Sequence, residues 1–127
     1  KVINGNPYYL INAKFEPGNY RKIQLSPTLQ ATFSNIAKAH GGKEPRYLKY
    51  FQDPKKNNCE IIFKQWFSEE GGRLRNKRNL GILINLDPNK KIVLDEDFKW
   101  LSMKQIKFLI LENAMINPHL RGLVSFI

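Results

Sequence analysis

The run Ser68-Glu69-Glu70-Gly71-Gly72-Arg73 sets two carboxylates beside two glycines and an arginine. Close like charges raise the pKa of one partner toward neutrality, which makes a usable general base or acid. On extended backbone adjacent side chains point to opposite faces, so one of Glu69 and Glu70 faces any given site. The same string also fits a solvated turn. A second concentration of chemistry lies in EPGNYRKIQLSPTLQATFSN, residues 16–35, where Glu16, Asn19, Gln24, Ser26, Thr28, Gln30, Thr32, Ser34 and Asn35 stand among few charges. A solvated helix normally shows Lys and Glu outward, whereas uncharged donors and acceptors at this density suit a ligand rich in hydroxyls and carbonyls. A tolerated polar surface or an irregular loop is the alternative.

The elements that must position these groups follow from periodicity. Tyr8 to Phe15 alternate loosely and stop at Glu16-Pro17-Gly18-Asn19, which is turn chemistry. Tyr20 to Leu25 then resume as a returning strand, so Glu16 and Asn19 sit at a hairpin tip. Ser26-Pro27 reads as an N-cap and first helical residue, and Leu29, Phe33, Ile36 and His40 recur at helical spacing. On that helix Thr28, Thr32 and Asn35 share one stripe, and Gln30 with Ser34 a neighbouring one. After a loop containing Pro45 and RYLKYF, and a turn at DPKKNN, the segment CEIIFKQWF is apolar on both faces and predicts a covered strand. Leu80, Ile82, Ile84 and Leu86 alternate as its neighbour, so two strands flank the Glu69-Glu70 connection. Ser102 with Gln105 forms a capping box, with Leu101 and Ile106 at staple positions, for a helix from Met103 toward Asn113. Asn117-Pro118 opens another helix, carrying Leu120, Leu123 and Val124.

The fold class expected is α+β, with a mainly antiparallel sheet flanked by helices. With 127 residues, 42% of them hydrophobic, one core can be filled, and residues 1–127 are read as a single domain. The chain starts at Lys1, which suggests part of a longer protein. No apolar run approaches the roughly 20 residues that span a bilayer. The N-terminus lacks a secretory pattern, so cytoplasmic localisation is expected. Cys59 has no partner for a disulfide, and with His40 and His119 it makes no spaced ligand set, so no metal is expected. Net charge is +10, concentrated in residues 38–78, which carry 11 basic and 5 acidic side chains. A solvated face, a diphosphate site and a polynucleotide surface compete for that excess. The nucleic-acid reading, with Tyr47, Tyr50 and Phe51 as stacking surfaces, ranks last because the basic residues do not interleave with them. P-loop, GxGxxG, HExxH and GxSxG motifs are all missing.

Glu16-Pro17-Gly18-Asn19, Gln24 through Thr32 with Ser34-Asn35, Tyr47-Leu48-Lys49-Tyr50-Phe51, Glu69 through Leu74, Trp100 through Ile106, and Asn117 with Arg121 occur in fixed order. In these blocks the chain resembles the NDP-hexose 2,3-dehydratase family of deoxysugar biosynthesis. The resemblance implies a fold similar to the Nudix hydrolase superfamily, without the Nudix box and without hydrolysis, in proteins built from two related halves. It also implies a homodimer acting on a dTDP-4-keto-6-deoxyhexose with no redox cofactor. By resemblance and by the chemistry of elimination, Glu69 or Glu70 is the base and Tyr47 or Tyr50 the proton donor. Gln24, Thr28, Gln30, Ser34 and Asn35 would hold the sugar and base edges, joined by Asn19 and Thr32. Arg73 would meet the diphosphate, and Glu16 is an alternative acid or a loop anchor. Phe33, Ile36 and Lys49 depart from the family pattern, which commonly has Arg, Tyr and an acidic residue there. A nucleotide-sugar-binding or dimerisation half without catalysis therefore stands as the second reading.

Overall fold

Strand β2 (Asn6–Phe15) organises the first sheet because its alternate side chains find apolar partners on both faces. The computed structural model describes residues 1–18, 20–38, 41–68 and 75–127. The short β1 (Val2–Ile3) turns back on β2, and β3 (Ile23–Pro27) and β6 (Phe98–Ser102) flank β2, all antiparallel. Tyr9 and Ile11 face one side, where Ile11 is buried with Ile106, Ile116 and Leu120 beneath helices α3 (Met103–Ile110) and α4 (Pro118–Val124). Trp100, paired with Leu10, faces the other side and packs with Tyr50, Cys59 and Leu86. The outer edge of β3 is sealed by residues 115–117. Leu25 N–H donates to Met115 O at 2.8 Å, and Asn117 N–H donates to Leu25 O at 2.9 Å.

A second sheet is the two-stranded ribbon of β4 (Cys59–Ser68) and β5 (Arg78–Leu86). Its Cys59 and Leu86 end joins the cluster beside α2 (Leu48–Gln52). Further along, Phe63 and Phe67 stack toward Phe126, with ring centroids 4.9 and 6.0 Å away. Gly81 permits this approach, since a Cβ there would lie 2.7 Å from the Phe67 ring and 3.0 Å from Leu123. The architecture is thus α+β with antiparallel sheets and short flanking helices, as the sequence predicts.

Four local expectations are corrected. Ser26 and Pro27 do not open a helix; they end β3, where Ser26 is 0% exposed and paired with Asn12. Pro27 is tolerated there as the last residue of its strand, pairing with Ile11. The helix shrinks to α1 (Phe33–Ile36), capped by Thr32, whose hydroxyl accepts from Asn35 N–H. Thr28, Thr32 and Asn35 therefore share no helical stripe. β4 is also not covered on both faces: Ile61, Ile62 and Trp66 are exposed at 43%, 56% and 44%, since no layer packs over that face of the ribbon among the described residues. RYLKYF is not all loop, since α2 forms within it after Tyr47 adopts left-handed backbone at φ 62°. Strand β6 was masked in the sequence by the capping box that follows it, although Phe98, Trp100 and Ser102 alternate with Lys99 and Leu101. The box itself forms as expected. Ser102 Oγ accepts from Gln105 N–H, and Gln105 Oε1 accepts from Ser102 N–H.

Candidate functional site

Between the first sheet and the ribbon lies a cavity of about 760 Å³. One wall is β2 from Tyr8 to Ile11 followed by Pro27 to Phe33, and the facing wall is β5 with Ile62, Trp66 and Phe67 of β4. Tyr47, Tyr50, Trp100 and α4 close its ends. The walls meet where the Phe33 and Trp66 rings approach to 6.3 Å between centroids and the Arg78 guanidinium lies 5.3 Å from the Trp66 ring. Trp66 and Arg78 bracket the 69–74 connection in sequence. Most of the lining is apolar, with a few polar groups placed among it, the composition of a small-molecule site.

Thr28, Gln30 and Thr32 line this space. Thr28 Oγ1 donates to Leu10 O, which ties the segment after β3 onto β2. Gln30 Oε1 accepts from Asn117 Nδ2 at 2.8 Å, while its amide nitrogen has no hydrogen-bond partner among the described residues. Thr32 Oγ1 lies 2.8 Å from Ser34 Oγ as part of the α1 cap. Gln24, Glu16, Ser34 and Asn35 are not among the lining residues. Gln24 is buried and donates to Ala114 O at 2.8 Å, and Glu16 pairs with Lys14 at 2.6 Å near the hairpin turn. Asn19, Glu69, Glu70 and Arg73 lie outside the described residues.

The two candidate tyrosines differ in what their hydroxyls do. Tyr47 OH donates to Val93 O at 3.2 Å and accepts from Asp95 N–H at 3.1 Å, so it braces the 93–95 loop. Tyr50 is buried beside Cys59 and Leu86, and its hydroxyl has no hydrogen bond among the described residues. Behind Tyr47, Arg46 donates to Asp95 at 3.0 Å and by a fork to both oxygens of Asp97, and stacks 4.8 Å from the Phe98 ring centroid. The hydrogen bonds from Arg46 hold the Asp97 carboxyl below the usual carboxylate range and raise the guanidinium in return. A depressed folded pKa contributes stability that is present above the unfolded value near 3.9 and is lost as pH falls through the folded one. Arg46→Met is therefore expected to destabilise by up to about 1 kcal/mol at pH 7. In urea titrations the gap from wild type should close below about pH 4; an equal gap at pH 7 and pH 3 would show that packing on Phe98 carries the effect.

Burial pushes the Cys59 thiol and the Tyr9 phenol up, so neither ionises readily at neutral pH. Among the described residues no group of three His, Cys, Asp or Glu converges, and no helix is long and apolar enough to cross a membrane. Two features of the site escaped sequence reasoning. Trp66 and Arg78 line the cavity but read as a strand residue and part of the connection before Leu80, and Asn117, which stands behind Gln30, read as a helix cap. The signal available for Asn117 was its place in the block with Arg121, whose guanidinium donates to Ile110 O, near the C-terminus of α3, at 3.3 Å.

Residues 1–127 match the family model of NDP-hexose 2,3-dehydratase. Similar curated proteins bear the name dTDP-4-dehydro-6-deoxy-alpha-D-glucopyranose 2,3-dehydratase. That of Amycolatopsis orientalis is 36% identical over 125 residues, covering 98% of this chain and 26% of the relative. That of Saccharopolyspora spinosa is 35% identical over 127 residues, covering 100% and 25%. That of Streptomyces violaceoruber is 33% identical over 125 residues, covering 98% and 28%. The chain spans about a quarter of the length of these relatives.

Proposed function

Because the chain belongs to the NDP-hexose 2,3-dehydratase family, we propose that it is part of a lyase removing water across carbons 2 and 3 of a dTDP-4-keto-6-deoxyhexose. The 4-keto group acidifies the hydrogen on carbon 3. Glu69 or Glu70 takes that proton, the electron pair forms the bond between carbons 2 and 3, and the oxygen on carbon 2 leaves with a proton from Tyr50. Tyr50 is preferred over Tyr47 because the Tyr47 hydroxyl is already committed in both directions. Donors such as Gln30 and Thr32 would stabilise the enolate or hold the sugar, and Arg78 with Arg73 would meet the diphosphate. The product enol becomes a 3,4-diketo sugar without a redox cofactor. A homodimer belongs to the same proposal and rests on the family resemblance.

The observation that carries this reading is one cavity lined by Thr28, Gln30 and Thr32, by Tyr47 and Tyr50, and by the residues bracketing Glu69-Glu70. The apolar character of most of its wall favours one alternative, a nucleotide-sugar-binding half without catalysis. Thermal-shift titration with dTDP, run beside an elimination assay on the keto sugar, separates the two. At a ligand concentration of 100 times Kd, stabilisation by about 2.7 kcal/mol is expected. A shift accompanied by elimination supports the lyase, and a shift without elimination supports the binding half. No shift and no elimination would remove both.

A further inference from the structure

A buried amide decides which end of Gln30 meets the ligand. Asn117 is 2% exposed and caps α4, its Oδ1 accepting from Leu120 N–H at 2.9 Å. A backbone N–H can only donate, so Asn117 must turn its oxygen to the helix and its Nδ2 the other way. That nitrogen meets Gln30 at 2.8 Å and therefore requires the Gln30 oxygen. Gln30 is left with its NH₂ unbonded among the described residues, at the wall of the cavity. The orientation is propagated from a helix end, through two amides 87 residues apart in sequence, to the site.

We propose that Asn117 is a positioning residue that fixes Gln30 as a hydrogen-bond donor, and that the ligand presents an acceptor oxygen, a carbonyl or ring or hydroxyl oxygen, to that NH₂. This rests on the nucleotide-sugar reading and adds to it the polarity of one contact and the residue that sets it. A freely rotating glutamine would offer donor and acceptor alike; the tethered one discriminates, because an acceptor facing another acceptor leaves both desolvated and unpaired.

The test uses the whole protein, with dTDP and dTDP-glucose as probes in calorimetry. Gln30→Glu keeps an oxygen for Asn117 and replaces the donor by an acceptor. It is expected to weaken binding at least about 10-fold with little change in the thermal midpoint. A loss seen with both probes assigns the acceptor to the nucleotide, and a loss seen only with dTDP-glucose assigns it to the sugar. Asn117→Ser retains a good helix cap but frees Gln30, so affinity should fall with the fold intact. Side-chain amide exchange by NMR supplies a signature that a purely structural Asn117 would not produce. The Asn117 NH₂ should be protected in the free protein, and the Gln30 NH₂ should become protected only when ligand is added. Wild-type affinity in Gln30→Glu, or a Gln30 NH₂ already protected without ligand, would overturn this inference alone. Failure of the wild type to bind either probe would take down the nucleotide-sugar reading and this inference with it.

Discussion

In the whole protein, changing Glu69 or Glu70 to Gln is expected to lower elimination by about 10²–10⁴-fold in the variant that removes the base. The other variant should lose far less, since a single carboxylate suffices to accept the carbon 3 proton. Gln keeps size and hydrogen bonding while removing basicity, so the thermal midpoint and dTDP affinity should stay near wild type in both. The chemical argument is that removal of the carbon 3 proton needs a base. The described residues lining the cavity include His119 but no carboxylate, and Glu69-Glu70 is the carboxylate pair that the family resemblance points to. The described residues on either side of the connection, Trp66 and Arg78, line the cavity next to Phe33. Full turnover in both variants would remove this pair from the mechanism and pass the search to other bases at the cavity, His119 first among the described residues.

The largest structural effect is expected at Ile106. This side chain is 1% exposed where Ile11, Ile116 and Leu120 meet beneath the first sheet, and it also lines the cavity. Ile106→Ala should cost about 2–5 kcal/mol, combining lost transfer energy with an unfilled space, whereas Ile106→Val should cost about 0.5–1.5 kcal/mol. Urea unfolding of both variants measures this. A cost for Ala no larger than that for Val would mean that α3 collapses onto the gap, contrary to a wall held rigid on both sides.

What could be read from the sequence was whatever local chemistry dictated. The Ser102 and Gln105 box, the Asn117-Pro118 start of α4 and the β5 alternation each carry their own instructions, and each formed where expected. The segment from Ser26 to Thr32 failed because its signal, a serine followed by proline, is shared by a helix start and a strand end. The deciding partners, Asn12 and Leu10 on β2, are more than ten residues away. The apolar β4 was misread as covered because its composition describes a demand for partners without saying which are met. Of the candidate site, residue types and grouping were legible, but orientation was not. Nothing local distinguishes Gln24, spent on Ala114, from Gln30, which faces the cavity. Nor does the pattern show that one tyrosine hydroxyl is committed and the other open.

The sealing of β3 by residues 115–117 has a kinetic consequence. The bonds joining β3 and the segment after it to the connection that leads into α4, Gln24 to Ala114 and Gln30 to Asn117, close loops of 90 and 87 residues. Closing such loops carries an entropic toll that the short β2–β3 and β4–β5 pairings avoid, so those hairpins can form early while the contact sealing β3 comes last. A chain captured midway through refolding should therefore contain native-like ribbon and no competent cavity. Ligand recognition would then switch on only with the slowest phase, which makes it a more stringent reporter of complete folding than any measure of strand content.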